Sequence, residues 1–475
     1  MRRPSPVTIV LVAVALLAGA VLRLWFIHAY PQLNGDGLIY GDIAKNWLLH
    51  GVYGRTLPGP HGSRVAPTLI RLPGYPLFLA ASFRIFGVEH YIAVLRLQVV
   101  IDLGACLLVA ATVRRIFSRG AGLVALFLAA LCPFTANYVA APLTETLSIF
   151  CVALGMFALV RLLLSPGWPS IALLAVAWSY ATLLRPDGAL LAVASFAAIL
   201  VYGRRGFAGQ PPLGLARAVR YAVAAAVLSL LPFVVWTARN WRVFHVFEPL
   251  APRYATDPGE FTDPGFLRWT KTWAVDFAST YEIYWNANND LLPFNALPTR
   301  AFDSPAQYRQ TRDLFSDYNA VNSLTPAIDA RFAALATERT QAHPWRVHVE
   351  LPLLRVLDMW FRPRTEMLNI ELRWWQYSLH HLETEFAAAY AALNLLYVVL
   401  AVVGIWRWPA HRAALLAGML LYIALRSLLL ADIEAPEARY TIECFPMLFI
   451  LGAAALKPAT SSQPLASSQS GSVSS

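Results

Sequence analysis

The first apolar stretch, VTIVLVAVALLAGAVLRLWFI at residues 7–27, decides the fold class of the chain. As a helix, it is long enough to cross the roughly 30 Å of hydrocarbon in a bilayer. It follows Met1-Arg2-Arg3, a start that a cleaved signal peptide would share. The apolar run is too long for a signal peptide, and no small-x-small cleavage motif precedes the loop that follows. We therefore expect an uncleaved first membrane span.

Similar apolar stretches recur along the rest of the 475 residues. Hydrophobic residues make up 57% of the chain, charged residues only 14%, and the mean hydropathy is +0.51. A soluble protein of this size carries more charge, because its surface must face water. The sequence predicts an all-α polytopic membrane protein, a bundle of about ten transmembrane helices. The expected spans lie at residues 7–27, 91–113, 120–138, 143–163, 170–184, 188–203, 218–237, 387–405, 412–430 and 441–456.

The basic residues are distributed unevenly between the loops, and this predicts the orientation of the chain. With the N-terminus inside, the inner segments contain no Asp or Glu. Their basic residues are Arg2, Arg3, Arg114, Arg115, Arg119, Arg161, Arg204, Arg205, Arg217, Arg220, Arg407, Arg412 and Lys457. Cytoplasmic loops carry such an excess of Lys and Arg. We therefore expect both termini in the cytoplasm, with a disordered tail at 457–475. The net charge of +10 then reflects topology rather than nucleic-acid binding.

Two long segments fall on the outer face in this orientation. The first is a loop at 28–90, which belongs to an expected transmembrane core at 1–237. The second is an outer segment at 238–386, which contains 18 of the 28 acidic residues and precedes C-terminal membrane helices at 387–456. Aromatic, Pro and Asn residues run through the outer segment, so we expect it to be folded. Because the inner loops lack acids, we expect an active site that uses carboxylates to lie on the outer face or at the ends of the spans.

Two carboxylates stand out at the outer ends of expected spans. Asp36 lies between two glycines in the first outer loop, where it can meet both water and lipid headgroups. It is a candidate general base or cation ligand, and the alternative is a solvated turn, which these residue types favour by themselves. Glu145 lies at the mouth of the fourth span, where a buried acid needs a partner or a function. Its alternative is a helix N-terminal acid that the helix dipole favours.

Several arginines also lie at expected outer helix ends. A guanidinium fork matches the geometry of phosphate, although each arginine could equally anchor the protein at the headgroups. Together with Asp36 and Glu145, they fit a lipid ligand that carries phosphate. These arginines are Arg71, which precedes Pro73-Gly74-Tyr75-Pro76, and Arg185, Arg239, Arg426 and Arg439.

Other polar and sulfur-containing residues suggest structure rather than chemistry. Asp102 and Arg96 within the second span predict an intramembrane ion pair. The four cysteines lie in or beside apolar runs, which favours buried hydrophobic side chains. No group of His, Asp or Glu shows metal-ligand spacing, so no metal site is assigned.

The order of these motifs resembles the GT-C glycosyltransferases, specifically the bacterial relatives of protein O-mannosyltransferases and of the lipid A aminoarabinose transferase (glycosyltransferase family 39). The resemblance covers roughly residues 1–250 and 385–456. Many relatives carry an Asp-Glu pair in the first loop, where this chain has Asp36-Gly37, which leaves open whether Asp36 acts alone or with Asp42. The matching motifs are Asp36 with Tyr40, Leu72-Pro73-Gly74-Tyr75-Pro76-Leu77-Phe78-Leu79, Glu145, Leu184-Arg185-Pro186-Asp187-Gly188, Ala238-Arg239-Asn240-Trp241-Arg242-Val243-Phe244 and Glu437-Ala438-Arg439-Tyr440.

The resemblance implies a sugar donor on a polyprenyl phosphate and an inverting transfer to a lipid, glycan or protein acceptor. The reaction would take place on the outer face of a bacterial cytoplasmic membrane. Asp36 would be the general base, supported by Tyr40 and Asp42, and Glu145 would position the acceptor or a metal. The resemblance leaves open whether a divalent metal ion is a cofactor, because relatives differ in needing one. The expected ligands of the donor phosphate and lipid are Arg71, Arg185, Arg239, Arg439 and Tyr440.

Two other classes of function stay open from the sequence. A transporter or flippase of a lipid-linked sugar would favour internal repeats and polar groups at mid-membrane. This chain shows no repeat, and its polar groups cluster at one face. A non-catalytic envelope assembly subunit would leave Asp36 and the outer arginines without a role. The sequence therefore favours the glycosyltransferase.

Overall fold

The computed structural model describes residues 5–59 and 62–456. Arg2, Arg3, Lys457 and the expected tail at 457–475 lie outside the described residues. The α-helices are α1 (Pro6–Ala29), α2 (Asp36–His50), α3 (Gly74–Phe86), α4 (Tyr91–Ile116), α5 (Arg119–Ala130), α6 (Pro133–Ala136), α7 (Glu145–Leu164), α8 (Trp168–Leu184), α9 (Leu190–Arg205), α10 (Leu215–Phe244), α11 (Pro264–Lys271), α12 (Phe277–Ser279), α13 (Pro305–Val321), α14 (Pro326–Ala342), α15 (Leu351–Phe361), α16 (His381–Trp406), α17 (Ala413–Ala431) and α18 (Phe445–Leu456).

Shorter elements connect these helices. An antiparallel hairpin of β1 (Gly54–Gly59) and β2 (Gly62–Pro67) lies between α2 and α3. The π-helical turns are Thr280–Tyr284 and Arg346–Glu350. The 3₁₀ turns are Asn137–Ala140, Pro186–Ala189, Phe294–Ala296, Thr299–Ala301, Ala410–Arg412 and Ala438–Cys444.

Helix α1 shows how the apolar stretches of the sequence become membrane helices. Ser5 caps its N-terminus by accepting a hydrogen bond from the backbone N–H of Thr8 at 3.3 Å, and Pro6 occupies the first helical position. One face buries small residues such as Ala15 and Gly19 against the bundle. The opposite face is an exposed stripe spaced three and four residues apart, which suits contact with lipid. The stripe is Val7, Val10, Val14, Leu17, Val21 and Leu24.

The ten expected spans all coincide with apolar helices. Among the described residues, eight helical segments are long and apolar enough to cross a membrane. The third expected span is a pair of helical pieces, Arg119–Ala130 and Pro133–Ala140, bent by 51° at the break between them. The fifth is the 17-residue α8, which is at the short end of the range for a span. The protein is an all-α, multi-pass membrane protein.

A buried ion pair joins the first helices of the bundle. The Arg23 side chain of α1 lies against Asp102 of α4, with Nε 2.6 Å from Oδ2, and both are buried. Arg23 also donates to the carbonyl of Ala130 on α5 at 2.7 Å. The predicted pair between Asp102 and Arg96 is wrong. Six residues along a helix place two side chains about 120° apart around the axis, and Arg96 is exposed while Asp102 is buried.

The outer segment contains a second buried core that is separate from that of the membrane bundle. Helices α11, α13 and α14 pack around aromatic side chains, which include Trp269, Trp273, Phe315 and Phe332. The carboxylate of Asp329 on α14 accepts hydrogen bonds from the first backbone N–H groups of α11, at 2.8 and 3.0 Å. These contacts hold the start of α11 against α14.

Candidate active site

Asp36 is the first residue of α2, which runs beneath the outer segment. Gly35 precedes it with a φ of +51°, a left-handed backbone conformation that favours glycine. A carboxylate at a helix N-terminus is stabilised by the helix dipole. Asp36 therefore belongs to a helix rather than to a solvated turn.

Gly37 occupies the position where relatives carry the second acid of their pair. A Cβ atom at residue 37 would lie 2.6 Å from Cγ of Pro142, a separation that real contacts do not reach. The segment that carries Pro142 is itself held in place by the buried Gln98, which donates to the carbonyls of Val139 and Ala141 at 3.2 and 2.8 Å. A side chain at position 37 therefore does not fit, and Asp36 is the carboxylate that the start of α2 contributes to the site.

Arg71 brings a positive charge to Asp36. Its Nη2 lies 2.7 Å from Asp36 Oδ1, and its guanidinium lies over the ring of Tyr40, 5.7 Å from the ring centroid. The backbone carbonyl of Arg71 accepts a hydrogen bond from the Tyr53 hydroxyl at 2.8 Å. Helix α3 begins just beyond, where Gly74 packs so closely against the end of α8 that a Cβ would lie 2.5 Å from the Leu183 carbonyl.

The guanidinium of Arg439 lies between three carboxylates of the site. Its Nη2 is 3.8 Å from Asp36 Oδ2, and its Nε is 3.9 Å from Glu145 Oε1 and 2.7 Å from Glu437 Oε2. The hydroxyl of Tyr440 donates to Glu437 at 2.7 Å. Arg439 and Tyr440 come from the 3₁₀ turn before α18, so the last outer loop returns to the first.

A buried network extends from Glu145 towards the bundle. Arg185 donates from Nη1 to Glu145 Oε1 at 3.3 Å, and its Nε lies 3.3 Å from Asp187. Arg426 of α17 pairs with Asp187 at 3.2 Å and with Glu443 at 2.9 Å. Sequence reasoning missed Glu443, although a glutamate inside an otherwise apolar last span is the signal that could have found it. The other carboxylate oxygen of Glu145, Oε2, is buried without a hydrogen-bond partner among the described residues.

Two cavities meet at Asp36 and Arg439. The larger has a volume of about 810 Å³, and its lining includes Arg71, Glu145 and Arg185. The second, of about 680 Å³, lies under the outer segment, and Asp36 and Arg439 line both. A carboxylate and a guanidinium thus face both cavities, which is the arrangement that a reaction between two ligands requires.

The charges around Asp36 fix its ionisation. Burial raises the pKa of this carboxyl, but the guanidinium groups of Arg71 and then Arg439 outweigh that effect and hold the pKa below its ordinary value of 3.8. Burial raises the pKa of Tyr40 to about 12, so its hydroxyl stays protonated. Burial also raises the pKa of Glu437. Asp36 is therefore an anion at neutral pH, and Tyr40 is a neutral donor.

Two predicted site residues lie away from the cavities. Asp42 accepts hydrogen bonds from the backbone N–H and the hydroxyl of Thr56, at 2.6 and 2.7 Å, and so holds the β-hairpin. Helix α10 continues past Arg239 to Phe244, so Arg239 is not at a helix end. Its guanidinium donates to the carbonyls of Thr68 and Tyr53, at 2.8 and 2.7 Å. These contacts suit a structural role, and the predicted function of both residues stays a prediction.

The other predicted site residues come together in the structure. Asp36, Arg71, Glu145, Arg185, Arg439 and Tyr440 all line the larger cavity, with Tyr40 beside them. Within the part of the chain that the structure describes, no group of three or more His, Cys, Asp or Glu side chains could hold a metal ion. The cavity carboxylates Asp36 and Glu145 each face a guanidinium instead.

Comparisons with known proteins bear on the fold of the chain. The sequence model of the dolichyl-phosphate-mannose-protein mannosyltransferase family matches residues 67–236. The oligosaccharyltransferase AglB from Archaeoglobus fulgidus, solved with an inhibitory peptide and a dolichol-phosphate, has a TM-score of 0.50 at 14% identity, covering 95% of this chain and 50% of AglB. The chain has the GT-C fold.

Two further solved structures are similar to the chain to different degrees. The A. fulgidus oligosaccharyltransferase tethered to an acceptor peptide with an NVT sequon has a TM-score of 0.50 at 13% identity, over 94% of this chain and 49% of that one. ArnT from Cupriavidus metallidurans, bound to undecaprenyl phosphate, is 14% identical over 94% of this chain and 76% of its own, with a TM-score of 0.39. The chain spans about half the length of the oligosaccharyltransferase. No curated protein sequence is significantly similar to it.

Proposed function

We propose that this protein is a membrane glycosyltransferase that moves a sugar from a polyprenyl-phosphate donor to an acceptor hydroxyl. One observation carries the proposal: Asp36 and Arg439 lie where two cavities meet, with an anion for the acceptor and cations for the donor phosphate. The GT-C fold and the match to a family named for dolichyl-phosphate-mannose donors support it. The substrates named for the similar proteins are theirs, and we propose the same donor class for this chain.

The reaction would be a single displacement at the anomeric carbon. The acceptor oxygen forms the new bond to that carbon as the bond to the phosphate oxygen breaks, and the configuration inverts. Asp36 takes the proton of the acceptor hydroxyl, which makes the oxygen a better nucleophile. The polyprenyl phosphate leaves as an anion with the bonding electron pair. Because the leaving group is already anionic, it needs cationic stabilisation more than a general acid.

The larger cavity suits the donor. Arg71, Arg185 and Arg439 all line it, and guanidinium groups bind phosphate through charge-assisted hydrogen bonds. Glu145 also lines the larger cavity, where its unpaired carboxylate oxygen would position the acceptor hydroxyl as it enters from the second cavity. The second cavity, under the outer segment, suits the acceptor.

The site would face the outside of a bacterial cytoplasmic membrane. Arg114 and Arg115 lie at one end of α4, and Arg204 and Arg205 at the same membrane side of α9. Asp36 and Glu145 both lie on the other side of the membrane, where α1 ends and α7 begins. The positive-inside rule then assigns the basic side to the cytoplasm.

The test is a deletion strain whose envelope glycolipids and glycoproteins are profiled by mass spectrometry. We expect one glycan species to lose a single sugar, and the wild-type gene to restore it. Complementation with the Asp36→Asn variant should leave the species truncated, although the protein reaches the membrane in equal amount. Restoration of the full glycan by Asp36→Asn would refute the mechanism, and an unchanged profile in the deletion strain would refute the function.

A further inference from the structure

A third cavity opens from the same centre, and its lining has the chemistry of a saccharide site. It has a volume of about 590 Å³, within the usual range for ligand pockets. Arg439 lines it together with both cavities already described, and Trp285 lines it together with the cavity of 680 Å³. A ligand in this third cavity can therefore extend towards Asp36.

One side of the third cavity is an aromatic platform formed by Phe277, Tyr281 and Trp285. The ring of Trp285 lies 5.5 Å from that of Phe277 and 5.6 Å from that of Tyr281. Phe277 is buried beneath the platform, whereas Tyr281 and Trp285 are 49% and 37% exposed. The π-helical turn Thr280–Tyr284 carries Tyr281 and is followed directly by Trp285, and such turns recur at functional sites. The Trp285 ring is inclined by 85° to that of Phe277 and by 55° to that of Tyr281, so a sugar ring would place its C–H face against one exposed ring, Tyr281 or Trp285.

The other side carries an acid without enough hydrogen-bond partners. The Glu366 side chain is 7% exposed and lines the cavity, and its Oε1 lies 2.8 Å from Arg362 Nε. Neither carboxylate oxygen accepts a hydrogen bond with good geometry from the described residues. A buried acceptor in this state requires an explanation, because leaving it unpaired is costly. Donated hydroxyl groups from a ligand would satisfy it.

The charge of the cavity selects among the ligands that these groups could bind. An aromatic surface beside a carboxylate also suits an ammonium group. Glu366, Glu371 and Glu437 line the same cavity as Arg362 and Arg439, so its positive and negative charges nearly balance and do not select a cation. A neutral ligand with several hydroxyl groups fits both the platform and Glu366.

We propose that this third cavity binds a saccharide ring of the acceptor, between the aromatic platform and Glu366, so that the acceptor is a glycan. The inference rests on the proposed function and names its acceptor class. The ring held here would lie beside the sugar whose hydroxyl reaches Asp36. The acceptor would therefore contain at least two linked sugars.

The test measures binding by the full-length protein in lipid nanodiscs. The probe is a fluorescently labelled oligosaccharide pool, released by mild acid from the envelope of the deletion strain, which accumulates unmodified acceptor. We expect wild type to retain oligosaccharide, and Trp285→Ala and Glu366→Gln each to lower the affinity by about tenfold. Trp285→Phe keeps an aromatic face and should retain most of the affinity, which separates loss of the ring from loss of the fold.

Matched controls use the same substitutions outside the cavity. Trp345→Ala and Glu350→Gln change exposed side chains of the outer segment and should bind oligosaccharide as wild type does. Equal binding by wild type and Trp285→Ala, or retention of a tryptic peptide pool in place of saccharide, would overturn the inference. The same discs are tested with undecaprenyl phosphate. If they bind that lipid but no saccharide, only the acceptor inference fails, whereas failure to bind the lipid counts against the proposed function.

Discussion

The carboxylate of Asp36 lies 2.7 Å from the guanidinium of Arg71, although the two residues are 35 positions apart in the chain. The pair joins the start of α2 to the loop before α3, and Arg439 approaches the second oxygen of Asp36 from the last outer loop at 3.8 Å. An acid held in this way is ionised but weakly basic. Binding of an anionic phosphate to the same arginines would weaken their hold on Asp36 and increase its basicity.

Replacement of Asp36 by Asn should abolish sugar transfer while polyprenyl-phosphate binding persists. The amide keeps the shape of the side chain but cannot accept the acceptor proton. The measurement is release of polyprenyl phosphate from the lipid-linked sugars extracted from the native membrane. Asp42→Asn is the matched control, because Asp42 contacts the hairpin at Thr56, and it should lower stability more than transfer. Near wild-type transfer by Asp36→Asn would remove this residue from the mechanism.

The pH dependence of transfer should reveal the Asp36–Arg71 pair. Arg71 and Arg439 hold the pKa of Asp36 below its ordinary value, so the carboxylate persists to lower pH than an isolated Asp would. Protonation stops it from acting as a base, and the acid limb of kcat/KM should therefore lie at low pH. In Arg71→Gln the pKa rises, and the limb should move to higher pH. If the acid limb of kcat/KM stays at the same pH in Arg71→Gln, even with a lower maximum rate, Arg71 does not set the ionisation of Asp36.

Arg439→Ala should weaken the binding of undecaprenyl phosphate by about tenfold or more, since a hydrogen bond to a charged group contributes roughly 1.5–3 kcal/mol. A competition assay against the native lipid-linked sugar measures this. Arg239→Ala provides the comparison, because its guanidinium donates to backbone carbonyls. That variant should lose thermal stability with a smaller change in lipid affinity. If Arg239→Ala weakens lipid binding more than Arg439→Ala does, Arg239 rather than Arg439 binds the phosphate.

Gly37→Ala should destabilise the protein by about 1–3 kcal/mol, the usual cost of overpacking. The added methyl would lie 2.6 Å from Pro142, so α2 or the loop that holds Pro142 must move. Thermal unfolding in detergent measures the change. Gly104→Ala is the control, because a Cβ there makes ordinary contact with Phe150 at 3.4 Å. If both variants unfold at the same temperature as wild type, the contact between Gly37 and Pro142 is loose.

Arg23→Leu should destabilise the bundle by about 3–5 kcal/mol, because it leaves Asp102 buried without its partner. The double variant Arg23→Leu/Asp102→Leu should recover most of that loss, since no charge is then stranded. Arg96→Leu removes an exposed arginine from the same helix as Asp102 and should have little effect. Folded yield and unfolding temperature in detergent are the measurements. A double variant as unstable as Arg23→Leu would show that packing, rather than charge, causes the loss.

Much of the candidate site could be predicted from the sequence, because its residues lie at the ends of apolar runs. Asp36, Arg71, Glu145, Arg185 and Arg439 were all expected on one face of the membrane, and the structure brings them to one cavity. That expectation needs only the length of a span and the sign of the loop charges.

The errors have a common physical cause. Arg96 and Asp102 are near each other in the chain but point in different directions around α4, whereas Arg23 comes from another helix. Arg239 carries the same charge as Arg439, yet its neighbours are backbone carbonyls. Hydropathy shows how deep a residue lies, but the rotation of each helix and its neighbours decide which partner its side chain meets.

The sequence by itself determined that this protein crosses the membrane many times with its acids on one side, since transfer of side chains into hydrocarbon depends on composition and length alone. Only the tertiary structure decided which guanidinium meets which carboxylate and why Gly37 has no side chain. It also brought the aromatic platform to the edge of the site. These features depend on close approach between segments far apart in the chain, and that approach is fixed by packing of the whole bundle against the outer segment.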